Sequence, residues 1–492
     1  MTTTADARPA TLDPLASPAE LPVPLPPLDL SIPHRLHVVG VGGPGMSAIA
    51  IALAEMGHVV SGSDLREHPV LERVRAARVS VSIGHDRALV HGVDAVTSST
   101  AIPGHNIELE EARKTGVEVL SRAGMLASIC AQAKSLAVAG THGKTTTTSM
   151  LMLILAEAGL RPSFVVGGDV TDVGTGAQWT KGEWLVVEAD ESDGTHLELP
   201  LYGTILTNVE IDHLDHYGSF AGIIESFDNY LAQIRGPKVV CADDPVAALL
   251  AKRHGAVTYG LSDTADVQAV DISPTAGSFA FALQKRSIRG GESVVQRLGE
   301  ISLPLRGLYN VANATGAAAM ALEVGVGFDA IATALAKFGG VARRFDIKGT
   351  DAGATFVDDY AHLPSEIGAV LAGARGSGDG WERVIAVFQP NRFNRIAEMW
   401  SEYRSAFVDA DIVVLTDIFP SGTTPIPGIT GKLIVNAVAE AHPEQRIVWL
   451  PRREDLVSFV SNETRPGDVC ISMGCGDIAS FPSEVLDARR ST

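Results

Sequence analysis

Twice in its first third the chain runs from a short apolar stretch into a glycine-rich turn and out into an apolar segment. Arg35–Val39 (RLHVV) enters Gly40–Gly45 (GVGGPG) and continues through Met46–Met56; Ser135–Ala139 (SLAVA) enters Gly140–Thr145 (GTHGKT) and continues from Thr146. A strand that turns sharply on glycines and hands over to a helix is the repeating unit of a doubly wound α/β sheet. His58–Ser61 reads as a second strand, with Asp64 just beyond its end. Further strand-like runs fall at Trp184–Val187, Thr204–Thr207 and Lys238–Cys241, then at Ala354–Val357, Val384–Phe388, Ile412–Leu415 and Val469–Ser472. Helical patterns separate them, which predicts mostly parallel sheets.

With 492 residues and about 150 residues per domain, three domains are expected. Their boundaries are placed near 133 and 340. Residues 1–33 carry eight prolines and read as a polyproline-like or disordered tail. That segment has neither the basic start nor the apolar stretch of a secretory signal. Apolar residues make up 46% of the chain, yet no run approaches the ~20 residues of a membrane span. A net charge of −19 argues against a nucleic-acid partner. Cys130, Cys241, Cys470 and Cys475 show neither pairing nor metal-ligand spacing, as expected of reduced thiols in a cytoplasmic protein.

The second glycine turn is a phosphate-binding loop, G140-T-H-G-K-T145, followed by further threonines. Glycines let backbone N–H groups face phosphate oxygens, and the helix behind offers its positive end. Lys144 suits the β/γ-phosphates and the Thr145 hydroxyl suits Mg²⁺. Glu188 closes the apolar run WLVV and opens EADESD, where a metal-holding acid belongs; Asp190, Glu191 and Asp193 read as loop and cap residues. His213 or His216, in the segment after Thr207, is a candidate for a second cation site with Glu188. The first turn with Asp64 fits a diphosphate held on backbone amides and a carboxylate for ribose or base. Arg392 and Arg395 follow a strand with the spacing of an anion clamp.

Taken together these elements resemble the Mur ligases of peptidoglycan synthesis, in family order from about residue 33 onward. They include GVGGPGMS (Gly40–Ser47), SGSD (Ser61–Asp64), SSTAIP (Ser98–Pro103), GTHGKTTTT, EADESD, DHLDHYG (Asp212–Gly218), NVANA (Asn310–Ala314), GVARRF (Gly340–Phe345), DDYAHLP, VFQPNRFNR (Val387–Arg395) and GCGDI (Gly474–Ile478). The turn ending in Gly-Met-Ser is most similar to the member that adds the first amino acid. No lysine lies between His213 and Tyr230, which also fits that member.

The resemblance implies a Rossmann-like domain for a UDP-sugar (34–132), a central ATP-binding domain (133–339) and a Rossmann-like domain for the amino acid (340–492). It implies ATP and Mg²⁺, with two ions, and UDP-N-acetylmuramate and L-alanine as substrates of a monomer or homodimer. Gly42, Gly43, Gly45, Met46, Ser47, Ser63, Asp64 and Ser99 would hold the UDP-sugar. Gly140, Thr141, His142, Gly143, Lys144, Thr145 and Thr146 would hold ATP phosphates; Asn310 and Asn313 would approach adenine, and Arg344 and Asp359 would meet ATP from the third domain. Thr145, Glu188 and His213 would bind metal. Lys144, Glu188, His213, His362, Arg392 and Arg395 would carry catalysis through an acyl phosphate. Departures from the family pattern fall at Asn391, Phe393, Asn394, Leu363, Tyr309 and Thr423. A ligase attaching a tripeptide to the same nucleotide sugar and a non-catalytic nucleotide-binding paralogue are the alternatives; a dinucleotide-dependent dehydrogenase would leave the phosphate loop unexplained.

Overall fold

The computed structural model describes residues 26–290 and 292–490. Three sheets organise them. The first joins β1 (Arg35–Val39), β2 (Val59–Asp64), β3 (Ser80–Ile83), β4 (Ala95–Ser98) and β5 (Glu118–Ser121) in the order β3-β2-β1-β4-β5, all parallel. The second contains β6 (Lys134–Ala139), β7 (Ser163–Val170), β8 (Thr175–Gln178), β9 (Trp184–Glu188), β10 (Gly203–Leu206), β11 (Lys238–Cys241), β12 (Val257–Gly260), β13 (Val267–Thr275), β14 (Ser278–Arg289) and β15 (Glu292–Leu303). Its order is β15-β14-β13-β12-β11-β10-β6-β9-β7-β8, parallel from β13 to β7, with β8 antiparallel at the edge. The third holds β16 (Asp346–Asp351), β17 (Ala354–Asp359), β18 (Arg383–Phe388), β19 (Ile412–Leu415), β20 (Arg446–Trp449) and β21 (Asp468–Met473) in the order β16-β17-β21-β18-β19-β20, antiparallel only at β16–β17.

The first sheet and nearly all of the second lie in one compact unit; the third groups with Ile272–Ala280 and Ser302–Val311 in the other. The helices of the first unit include α1 (Pro44–Met56), α2 (Val70–Ala76), α3 (Ile107–Thr115), α4 (Arg122–Cys130), α5 (Lys144–Glu157) and α6 (Leu214–Tyr217). Leu136–Ala139, Leu185–Val187 and Ile205–Leu206 are wholly buried, as befits central parallel strands covered on both faces. Register sets Val138 beside Glu188 and Ala139 beside Leu206, so β10, β6 and β9 end level and their following loops share one edge.

Several details refine the expectations. β2 runs to Asp64, so that carboxylate sits on the strand and not beyond it. The helix behind the phosphate loop starts at Lys144, two residues earlier than the pattern suggests, which puts Lys144 and Thr145 in its first turn. Residues 1–25 of the expected tail lie outside the described residues. At its inner end Leu30 is buried in the core and the Leu28 N–H donates to Ser128 Oγ, so packing starts before residue 34. β13–β15 have no counterpart in the sequence expectations. β15 is exposed over its first six residues, and Ile288, Val294 and Val295 face outward, so apolar periodicity carries little signal there. Among the described residues no helix is long and apolar enough to cross a membrane, and all four cysteines are free.

Candidate active site

The phosphate loop is stitched to the segment after β10. Thr141 N–H donates to the Asn208 carbonyl (3.1 Å), His142 N–H to Asn208 Oδ1 (2.8 Å), and Thr207 Oγ1 to the His142 carbonyl (2.6 Å). Glu210 N–H returns a bond to Thr141 Oγ1 (2.9 Å), and His142 Nε2 lies 3.5 Å from Glu210 Oε2. Two glycines make this possible. At Gly140, with φ +124°, an added Cβ would lie 2.2 Å from Thr207 Oγ1 and 2.9 Å from the Asn208 carbonyl oxygen. At Gly143, with φ +80°, it would lie 2.6 Å from Asn313 Oδ1, so this glycine admits Asn313 against the loop. Gly140→Ala is therefore expected to cost roughly 1–3 kcal/mol of stability from backbone strain alone and to weaken binding of an ATP analogue at least tenfold. A thermal melt and a binding titration check this; wild-type values in both would contradict the loop geometry.

Lys144 occupies the centre of the loop. Its Nζ donates to the carbonyls of Gly140 (2.7 Å) and Thr141 (3.2 Å) and to both oxygens of Glu191 (2.9 and 2.8 Å). Burial alone would depress the ammonium, but the charges of Glu191, Asp190 and Glu188 outweigh it and hold its pKa above the ordinary lysine value. Glu191 is itself buried, which pushes its carboxyl up to about 7 against the opposing pull of Lys144. Glu191 lies in the loop after β9, and among the acids of EADESD it is the one whose two oxygens hold the lysine. Tyr217 OH donates to the Glu191 carbonyl (2.5 Å), which ties α6 to the same loop.

The expected metal residues surround this point. Thr145 is nearly buried in the first turn of α5. Glu188 ends β9, and its Oε2 is 2.7 Å from where a Cβ on Gly167 would project, so a glycine in β7 leaves the carboxylate its seat. His213 precedes α6 with φ +51°, and its Nε2 lies 3.2 Å from Asp212 Oδ2. Among the described residues no three His, Cys, Asp or Glu side chains gather into a metal cluster. The expected set has just two such residues, a donor number that suits Mg²⁺ completed by phosphate oxygens and water.

In the first domain, the amides of Gly40 and Val41 donate to the Ser63 carbonyl (2.8 and 3.0 Å), and Gly42 N–H donates to Asp64 Oδ2 (2.9 Å). An added Cβ on Gly42 would approach that oxygen to 2.8 Å. Gly43 and Gly45 continue the turn into α1, and Ser99 follows β4. Met46 (2% exposed) and Ser47 (4%) are buried near the start of α1, and the Ser63 hydroxyl donates to Glu108 Oε2 (2.6 Å). Glu108, fully buried on α3, also meets His37 Nε2 (3.3 Å), His85 Nδ1 (3.2 Å) and the Asp86 N–H (3.1 Å). This acid fixes the strand whose backbone carries the glycine turn. It had no signal in the sequence, where IELEE reads as a solvated helix face.

Arg122 was also absent from the expected site. Its Nη2 donates to Asp190 Oδ2 (2.8 Å) and Asp193 Oδ2 (2.9 Å), so those two acids have a partner beyond their loop.

In the second unit, Arg392 precedes the helix Phe393–Met399 with φ +61°, its N–H on the Phe419 carbonyl (2.9 Å). Arg395 in that helix is buried and donates to Asn391 Oδ1 (2.9 Å), and Thr423 Oγ1 accepts from the Phe393 N–H (2.9 Å). Two of the divergent positions, Asn391 and Thr423, thus brace the arginine-bearing turn. His362 Nδ1 lies 3.2 Å from Glu366 Oε2, and Tyr403 OH donates to the His362 carbonyl (2.8 Å). Arg344 stacks over Tyr360 at 5.0 Å. Asp359 lies at the end of β17, nearly buried. Its two oxygens accept from the Phe345 and Ala361 amides (2.7 Å each), and burial pushes its carboxyl up to about 6. Asn310 Nδ2 donates to the Arg306 carbonyl (2.7 Å) in this unit, whereas Asn313 belongs to the first.

Comparison with known proteins agrees with this geometry. Three family models match in succession: Mur ligase family, catalytic domain (35–134), Mur ligase middle domain (138–321), and Mur ligase, glutamate ligase domain (343–476). A UDP-N-acetylmuramate–L-alanine ligase of Bradyrhizobium is 41% identical over 451 residues, covering 91% of this chain and 96% of the relative. One from Rubrobacter xylanophilus is 41% identical over 456 residues, 92% and 99%. The crystal structure of a UDP-N-acetylmuramate–alanine ligase from Thermotoga maritima superposes with a TM-score of 0.78 at 26% identity, covering 93% of this chain and 99% of that one. A murein peptide ligase from Psychrobacter arcticus shares the fold, with a TM-score of 0.67, 24% identity and coverage of 93% and 99%. Its three matched domains and its identity to these relatives over nine-tenths of its length show that this chain belongs to the Mur ligase family.

Proposed function

We propose that the protein is an ATP-dependent ligase that joins L-alanine to the lactyl carboxylate of UDP-N-acetylmuramate in peptidoglycan precursor synthesis. The observation that carries the reading is the Lys144 cradle: a largely buried ammonium in the first turn of α5, flanked by Thr145, on a loop that leaves β6 where its neighbour β9 ends in Glu188. The relatives named above supply the acceptor and the sugar nucleotide.

In this reaction a carboxylate oxygen attacks the γ-phosphorus as the bond to the β–γ bridging oxygen breaks, leaving an acyl phosphate and ADP. The alanine amine, having shed a proton, then attacks the acyl carbon and phosphate departs. Lys144 meets the charge developing on the transferring group, the amides at the start of α5 (Lys144 to Thr146) hold the remaining phosphate oxygens, and Gly140, Thr141, His142 and Gly143 shape the loop around them. Thr145 with Glu188, and Glu188 with His213, are suited to hold divalent cations, which when bound neutralise phosphate charge. Gly42, Gly43, Gly45 and Asp64 receive the UDP end, with Ser99 beside them. Asn313 lies against the phosphate loop on the nucleotide side. To the second unit the reading assigns Arg392, Arg395 and His362 for the acyl phosphate and the amino acid and Arg344 and Asn310 for ATP, with Asp359 holding the turn that bears Arg344.

Phosphate release with UDP-N-acetylmuramate and a panel of L-alanine, glycine, L-serine and a tripeptide tests this. Release should need both substrates and run fastest with L-alanine. Release with the tripeptide alone would favour the recycling reaction.

A further inference from the structure

Arg122 stands where the two nucleotide sites of the first unit approach each other. It opens α4, directly after β5 of the first sheet, and its guanidinium is largely buried. On one side it lies against Gly45 in the first turn of α1, with Nη1 3.6 Å and Cδ 3.7 Å from the point where a Cβ on Gly45 would project. On the other side Nη2 alone makes three contacts with the acidic loop after β9: Asp190 Oδ2 (2.8 Å), Asp193 Oδ2 (2.9 Å) and Thr195 Oγ1 (3.4 Å).

Further hydrogen bonds within the loop surround those contacts. Asp190 Oδ1 accepts from the Ser192 N–H (3.0 Å), and Asp193 Oδ1 accepts from the Thr195 N–H (3.2 Å) and hydroxyl (2.6 Å). Asp190 is followed at once by Glu191, whose two oxygens hold Lys144 Nζ. A single side chain therefore spans from the glycine turn to the residue beside the phosphate-loop lysine. Its charge is also firm, because Asp190 and Asp193 outweigh the cost of burial and raise the guanidinium pKa further.

We propose that Arg122 is a positioning residue that couples occupancy of the glycine turn Gly42–Gly45 to the setting of Lys144, so that the nucleotide sugar and ATP bind cooperatively. This rests on the ligase reading above. A diphosphate on the turn draws Nη1 toward it. Because Nη2 is fixed to Asp190 and Asp193, that pull is passed to the loop that carries Glu191. A planar, multiply donating guanidinium suits this role, since it serves two anionic groups at once; an ammonium would have to choose.

The test is a set of binding titrations without turnover, with UDP-N-acetylmuramate and a non-hydrolysable ATP analogue, each measured alone and in the presence of the other. Wild type should show each ligand tightening the other by the same factor, about 5-fold or more. Arg122→Lys and Arg122→Met should bring that factor close to 1 while the affinity for the ATP analogue alone stays within about threefold; Asp193→Asn should lower it partway. Melting temperatures identify any variant that fails to fold, and the milder Asp193→Asn then carries the test. Wild-type coupling retained in folded Arg122→Met, or no coupling in a wild type that binds both ligands, would overturn the proposal and leave the ligase reading standing. A wild type that binds neither ligand would instead remove the ligase reading itself.

Discussion

Lys144→Ala should lower kcat for phosphate release by about 10²–10³-fold while leaving the affinity for UDP-N-acetylmuramate within about threefold of wild type. The lysine is the one side chain of the phosphate loop whose charge can follow the transferring group, and it is held by two backbone carbonyls and both oxygens of Glu191. Loss of that charge is felt in the transition state, where negative charge concentrates on the γ-phosphoryl oxygens, more than in the ground state. The same substitution strands Glu191 in a buried position, so some stability is lost as well. The double variant Lys144→Ala/Glu191→Gln separates the two effects. It should regain part of the lost melting temperature and none of the lost turnover. A single variant within threefold of wild-type kcat would refute the role given to Lys144.

Elements buried on both faces were legible from the start. Strands such as Ser135–Ala139, Trp184–Val187 and Ile412–Leu415 are continuous apolar runs because both sides of a central parallel strand meet helices, and the observed boundaries differ by one residue at most. The glycine turns were legible for a related reason, since positive φ at Gly40, Gly140 and Gly143 is costly for other residues. Strands at the sheet margin were not. β15 alternates no better than a loop because half of it faces solvent. In the site, local pattern named the lysine but not its partner. EADESD offers Glu188, Asp190, Glu191 and Asp193, and which of them faces Lys144 depends on how the chain folds back after β9. Glu108 lies on a charged helix that reads as ordinary surface and Arg122 opens an apolar one, and their roles arise from contacts about seventy residues distant in sequence.

Replacing Glu191 should have the largest effect on stability. Lys144 is largely buried and loses the carboxylate that holds its Nζ at 2.8 Å, so Glu191→Ala is expected to cost about 3–5 kcal/mol. The Gly140 and Thr141 carbonyls still accept from Nζ and place the value toward the lower end. Glu191→Gln keeps the shape and removes the titration, which makes the pH dependence diagnostic. The folded Glu191 carboxyl sits at about 7, above its ordinary 4.5, so between these values the unfolded chain releases its proton first. The folded protein then binds more protons, and this group's contribution to stability falls as pH rises from about 4.5 to 7. His196, buried and held down to about 4, works in the opposite sense over an overlapping range, and Asp359 in the same sense. The informative quantity is therefore the difference between wild type and Glu191→Gln, measured by denaturant unfolding at several pH values. That difference should shift in favour of the variant as pH climbs from about 4.5 to 7 and level off above it. Lys144, with its pKa raised, stays protonated throughout and adds no slope. A difference independent of pH over this range would mean that Glu191 is already ionised at its low end, with Lys144 outweighing the cost of burying the carboxylate.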